Sequence, residues 1–175
     1  MRVIVVQYDP LWPSAFAAAA KEASPALGKN LLEIHHIGST SIPGIHAKPV
    51  IDMLALVADI KVLDQHNSQM NSLGYEAMGE FGIPTRRYFR RDNAAGVRAH
   101  QIHAFQIGSP QIARHFAFRD FLRAHPDIAL QYSDLKRRLA DAHPNDIEAY
   151  MDGKDTFIKE TETKALSWLD TRHGV

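Results

Sequence analysis

The chain has 175 residues, 45% of them hydrophobic and 23% charged, and its 20 lysines and arginines balance 20 aspartates and glutamates. That profile fits a soluble globular protein with one ordinary core, and zero net charge supplies no field to draw it onto nucleic acid or an anionic membrane. The absence of cysteine excludes disulfides, thiolate metal sites and a cysteine nucleophile, and no apolar run reaches membrane-spanning length.

Residues 2–7 are rich in β-branched side chains and are expected to form a strand. The apolar N-terminal stretch is too short for a signal peptide and meets turn residues Asp9 and Pro10, so a cytoplasmic location is expected. Pro13 suits a first helical turn, and alanine-rich 14–26 continues it until Pro25 and Gly28 end it. A strand at 31–37 leads into a small-residue turn, Gly38-Ser39-Thr40-Ser41-Ile42-Pro43-Gly44. Residues 50–57 are nearly all apolar, as in a strand covered on both faces. Asp59 caps a helix at 60–73, closed by Gly74. Strands follow at 75–80, 86–91 and 98–107, around a Gly82/Pro84 loop and an Asn93/Gly96 turn. Beyond Ser109-Pro110, helices are expected at 110–124, 127–142 and 145–170, broken at His125-Pro126 and His143-Pro144. The fold expected is α/β over one domain, 1–175: a small mixed sheet flanked by helices at 1–108, then a helical part at 109–175.

The chemistry gathers at the turn. Small residues at Gly38, Ser39, Thr40 and Ser41 let backbone N–H groups approach an anion closely. Asp52 follows inside an apolar strand, and a carboxylate there can hold a divalent metal beside that anion. Nucleotidyltransferases place two carboxylates at i and i+2 of such a strand; here the second place is Leu54. The plain alternative is a hydrogen-bonded structural aspartate. His36 precedes the turn by two residues, and His103 shares a strand face with Gln101 and Phe105. Either imidazole could complete the metal shell or act as general base, against the alternative of a satisfied structural histidine. Arg86, Arg87, Arg90, Arg91 and Arg98 crowd one region, with only Asp92 opposing them. Such a strand either meets phosphates, Arg87 among the contacts, or is an edge guarded by charge. In the helical part His115, Arg119 and Arg123 recur every four residues, as do Tyr132 with Lys136 and Tyr150 with Lys154. Such cations could converge on an anion, or their stems could run along the surface.

Together these residues resemble the GrpB family. The resemblance is carried by His36-Ile37-Gly38-Ser39-Thr40-Ser41-Ile42-Pro43-Gly44, Ala47-Lys48-Pro49-Val50-Ile51-Asp52, Arg87-Tyr88-Phe89, Ile102-His103 and the run from Phe118 to Pro126. Tyr132, Lys136, Tyr150 and Lys154 extend it, so that it spans roughly Tyr8 to Phe157. It implies a nucleotidyltransferase-like α/β fold with an added helical part, a unit that also occurs fused behind dephospho-CoA kinase. It carries over His36, Gly38, Ser39, Asp52, His103, Arg119 and Lys136. Gln101 stands where the family often has histidine, and Leu54 is usual for the family but not for active nucleotidyltransferases.

The expected function is metal-dependent nucleotidyl or phosphoryl transfer to a small molecule, with an incomplete carboxylate pair. Asp52 and His103 would hold Mg²⁺, with His36 or His103 as base. Gly38, Ser39, Thr40, Ser41, Lys48, Arg87, Arg119, Lys136 and Lys154 would hold phosphates. The rival expectation is a non-catalytic module for a nucleotide or CoA-type ligand. The partner expected is a phosphorylated small molecule, with neither nucleic acid nor membrane.

Overall fold

A computed structural model describes residues 2–173. Five strands form one mixed sheet in the order β1-β2-β5-β4-β3: β1 Leu31–Ile37, β2 Ile51–Val57, β3 Glu76–Ala77, β4 Arg87–Asp92 and β5 Arg98–Gln106. β2 runs parallel to β5, and every other neighbouring pair is antiparallel. Five α-helices accompany it: α1 Trp12–Leu27, α2 Asn67–Ser72, α3 Pro110–Ala124, α4 Pro126–Ala142 and α5 Ile147–His173. Among the described residues no helix is long and apolar enough to cross a membrane.

The chain divides into two compact units, one drawn from Met1–Pro10, Ser39–Pro49 and Ala113–Val175, the other from Leu11–Gly38 and Val50–Ile112. The second unit is built on the sheet. β2 lies between β1 and β5 and is buried throughout except at Asp52, which explains its unbroken apolar run. α1 buries Trp12, Ala19, Ala23 and Leu27, a stripe at helical spacing, and packs on β1 and β2. The first unit is helical. Ile42 and Ile45 join Ala117, Phe121, Leu122, Ala129, Tyr132 and Ala165 in its core.

Four expected elements come out differently. Pro25 sits inside α1 rather than ending it, and the helix stops at Gly28, whose φ is +79° and whose N–H donates to the Ser24 carbonyl. The buried side chains of Ala23 and Leu27 hold the last turn together across the proline. Among the described residues, 2–7 make one bridge, Val6 to Ala47, and no strand pairs beside them; Val3 donates instead to the Pro144 carbonyl. The helix expected at 60–73 is a 3₁₀ turn at Val62–His66 followed by the short α2, and the Asp59 carboxylate accepts from the Lys61 N–H just before it. The strand expected at 75–80 shrinks to β3: regular pairing with β4 covers Glu76 and Ala77, after which Met78 and Gly79 turn around Tyr88, the Met78 N–H donating to the Tyr88 carbonyl and the Tyr88 N–H donating to the Gly79 carbonyl.

Candidate functional site

The sheet unit carries the acidic group. Asp52 is the half-exposed carboxylate of β2, and strand pairing decides what shares its face. It pairs with Ile37 on β1 and Gln101 on β5, while Leu54 pairs with His103, so Gln101 and His103 lie on the Asp52 face. His103 Nε2 is 3.3 Å from Asp52 Oδ1, and Arg86 Nη1 is 3.2 Å from His103 Nδ1. A guanidinium only donates, so Nδ1 accepts and Nε2 carries the proton that is donated to Asp52. Both ring nitrogens are therefore engaged, and this tautomer offers no lone pair to a metal or to a substrate proton. His103 holds the carboxylate in place.

Arg86 belongs to the arginine-rich stretch of the sequence, but nothing there predicts its contact with His103. Its guanidinium is buried, donates to the carbonyls of Glu80 (3.1 Å) and Phe81 (2.9 Å), and lies 4.8 Å from the centre of the Tyr88 ring. It thereby ties the loop before β4 to His103. That loop contains the only non-glycine residues with positive φ among those described, Phe81 at +46° and Thr85 at +70°. The sequence signals for Arg86 are its place in the arginine-rich stretch and at the end of the Gly82/Pro84 loop.

Gly38 leaves the other carboxylate oxygen room. Its φ is +75°, and a Cβ there would lie 2.7 Å from Asp52 Oδ2. No group of three or more His, Asp or Glu side chains among the described residues is placed to hold a metal ion. Asp52 alone still fits Mg²⁺ of the kind bound through one carboxylate, waters and substrate phosphates.

Two expected site residues of the sheet unit lie off the Asp52 face. His36 pairs with Met53, which turns it to the opposite sheet face, where its ring stacks on Phe16 of α1 at 4.9 Å. Arg87 pairs with Ala104 rather than His103, so it too leaves the Asp52 face. It makes a two-pronged ion pair with Asp64, at 2.7 and 3.2 Å.

The helical unit carries the cationic group. Ser39–Ser41 form a 3₁₀ turn closed by the Ile42 N–H on the Ser39 carbonyl, and Arg123 Nε donates to the Ser41 carbonyl at 2.9 Å. Thr40 and Ser41 are buried, which leaves Ser39 as the member of that turn with accessible surface. Arg119, largely buried, bonds the adjacent Asp120 at 2.8 Å and lies over Phe116.

Lys48, Lys136 and Lys154 gather around two tyrosines. Lys136 Nζ lies 4.3 Å from the Tyr132 ring centre, Lys154 Nζ 4.7 Å from that of Tyr150, and Lys48 Nζ 5.7 Å from the same Tyr150 ring. The four-residue spacing Tyr132/Lys136 and Tyr150/Lys154 sets each ammonium over a ring one turn away. Lys136 is 2% exposed, and among the described residues neither its Nζ nor the buried Tyr150 hydroxyl has a hydrogen-bond partner. Burial first, then the charges of Lys154 and Lys48, push Lys136 down to about 7. Burial pushes the Tyr150 phenol up, so it stays a neutral donor.

A family model described as GrpB protein matches residues 2–164. UPF0157 protein YqkA of Bacillus subtilis (strain 168) is 42% identical over 173 residues, covering 99% of this chain and 50% of that protein, so the chain spans half of its relative's length. A dephospho-CoA kinase of Mycolicibacterium paratuberculosis is 26% identical over 192 residues, covering 97% of this chain and 47% of that protein. The crystal structure of conserved protein GrpB from Enterococcus faecalis is similar at TM-score 0.90 and 44% identity, over 95% of this chain and 99% of that one. The Cid1 poly(U) polymerase, solved with MgGTP, has TM-score 0.54 at 11% identity over 77% of this chain and 44% of that one, a likeness of nucleotidyltransferase-like fold alone. With the family match running through nearly every element described above, the chain belongs to the GrpB family.

Proposed function

We propose that the chain binds a nucleotide or another phosphorylated small molecule, with its phosphates on Lys48, Lys136 and Lys154. The observation that carries this is Lys136: a buried amine without a hydrogen-bond partner among the described residues, beside two further lysines. Like charges so placed raise the energy of the empty protein, and an anionic ligand reverses the sign of that interaction. The likeness of fold to a polymerase solved with MgGTP makes nucleotides the first ligands to try.

A second reading, metal-assisted nucleotidyl or phosphoryl transfer, is favoured by Asp52. Its carboxylate is held by His103 on one oxygen and faced by a glycine at the other. Asp52 would hold Mg²⁺, which would supply charge neutralisation on the phosphate oxygens. His103 and Arg86 would keep the carboxylate oriented, as positioning residues rather than as metal ligand or base.

Thermal stabilisation by ATP, GTP, CTP, UTP and CoA, each with and without Mg²⁺, separates the two. Stabilisation that Lys154→Gln weakens and Asp52→Ala leaves intact supports binding alone. Stabilisation that needs Mg²⁺ and Asp52, followed by pyrophosphate release with a small-molecule acceptor, supports transfer. If none of these ligands raises the melting temperature at millimolar concentration, both readings fail.

A further inference from the structure

We infer that Lys48, Lys136, Lys154 and the Tyr150 hydroxyl form a receptor that takes a doubly charged phosphoryl group together with one proton, the proton going to Lys136. This rests on the reading that these lysines meet phosphate, and it adds the charge state in which they do so.

The groups concerned come from three segments of the helical unit. α4 supplies Tyr132 and Lys136, α5 supplies Tyr150 and Lys154, and the stretch leading to β2 supplies Lys48 and His46. The charges acting on Lys136 are those of Lys154 and Lys48, both cationic. His46 lies within reach of the Lys136 charge and is itself pushed toward its neutral form, chiefly by burial and then by Arg137 and Lys136; Asp134 opposes this. Tyr132 offers Lys136 only its ring face, and Tyr150 is neutral. Burial first, then repulsion from the two neighbouring cations, favours the neutral amine, which lowers Lys136 from 10.5 to about 7.

A phosphoryl dianion changes this balance. Its two charges face three amines and one phenolic donor, so attraction replaces repulsion and the Lys136 amine regains the ordinary lysine preference for the proton. The step is balanced: neutral amine, one proton from solvent and the dianion give an ammonium–dianion pair. No bond in the ligand breaks. Between the two titration points of Lys136 the empty site is neutral there and the filled site is charged, so binding takes up a proton and weakens as pH rises.

Calorimetric titration with inorganic tripolyphosphate tests this without any turnover. It would be run from about pH 6 to about pH 9 in buffers of different ionisation enthalpy. The wild type is expected to take up nearly one proton per ligand at about pH 8, after correction for the ligand's own protonation. Its affinity should fall about tenfold per pH unit above neutrality. Lys136→Met replaces a buried unpaired amine by an apolar side chain of similar length, so it should fold; it should bind more weakly and without proton uptake. Lys154→Gln should lose affinity yet keep the uptake. Tight wild-type binding with no proton uptake and a flat pH dependence overturns the inference and leaves phosphate binding standing. Uptake that persists in a folded Lys136→Met overturns it too, by assigning the proton elsewhere. Failure of tripolyphosphate and of every nucleotide to bind at any pH overturns both.

Discussion

Gly38 and Asp52 constrain one another. A methyl group on Gly38 would lie 2.7 Å from Asp52 Oδ2 and 3.0 Å from Asp52 Cβ, on a backbone held at φ +75°. Gly38→Ala thus meets two penalties, a left-handed backbone costing about 1–2 kcal/mol and an overlap with the carboxylate. Urea unfolding should show a loss of ~2–3 kcal/mol, of which Asp52→Ala in the same chain restores about 1 kcal/mol by removing the nearest atom. Equal losses in both backgrounds would mean that the carboxylate does not occupy this place. Asp52 was legible in the sequence because one charge stands out in an apolar strand, and Gly38 because it opens a small-residue bend. The lysine–tyrosine spacing was legible as well, since four residues is a fixed helical step. Side-chain facing was not. His36 and Arg87 belong to the right strands, but a strand reverses its faces at every residue, and only the pairing of His36 with Met53 and of Arg87 with Ala104 shows which way each points. The role of Arg86 was out of reach for a similar reason: its partners at Glu80, Phe81 and His103 are set by a loop's shape and a strand's neighbour.

At the scale of elements, strong local signals located strands and helices closely. The apolar run of β2, the Pro110 start of α3 and the His-Pro breaks around α4 all fall within a residue or two of the observed bounds. Propensity failed where tertiary partners decided. Among the described residues the β-branched stretch at 2–7 bridges Ala47, and the segment at 75–80 leaves the regular ladder after Ala77 to wrap around Tyr88. α1 shows the reverse case, a helix that continues through a residue unsuited to it. Pro25 is exposed, lacks the N–H that would close its turn, and is tolerated because Ala23 and Leu27 beside it are fully buried. Pro25→Ala should therefore stabilise the protein. The restored hydrogen bond and better helix propensity favour it, while the looser unfolded chain opposes it by about 0.5–1 kcal/mol. A net gain of ~1–2 kcal/mol in chemical denaturation is expected, with little change in denaturant sensitivity. A loss would mean that the proline ring makes a contact that the helix needs.

For the molecule as a whole, charge placement matters more than charge count. The arginine-rich stretch looks in sequence like a surface for polyanions, yet in the fold its guanidiniums are matched one by one. Arg87 pairs with Asp64, Arg90 with Glu76, Arg91 with Glu22 and Arg98 with Asp92, while Arg86 is spent on two carbonyls and His103. Surface pairs of this kind stabilise a fold by only about 0–1 kcal/mol each, but they cancel the field a nucleic acid would follow. Three further cations lie together at Lys48, Lys136 and Lys154, where Lys136 and the Tyr150 hydroxyl are buried, and these are the lysines proposed above to meet the end of a small ligand. With formal net charge zero, retention on an immobilised 20-residue oligonucleotide should be negligible at about 0.15 M salt. Any residual binding at low salt should show a slope of log K against log salt of about −1 to −2, the mark of one or two phosphate contacts. Tripolyphosphate should then compete it away completely, since both would draw on the same lysines. Micromolar retention with a slope near −5 would instead require a row of accessible cations, and would show that the ion pairs along β4 and β5 open to admit a polyanion.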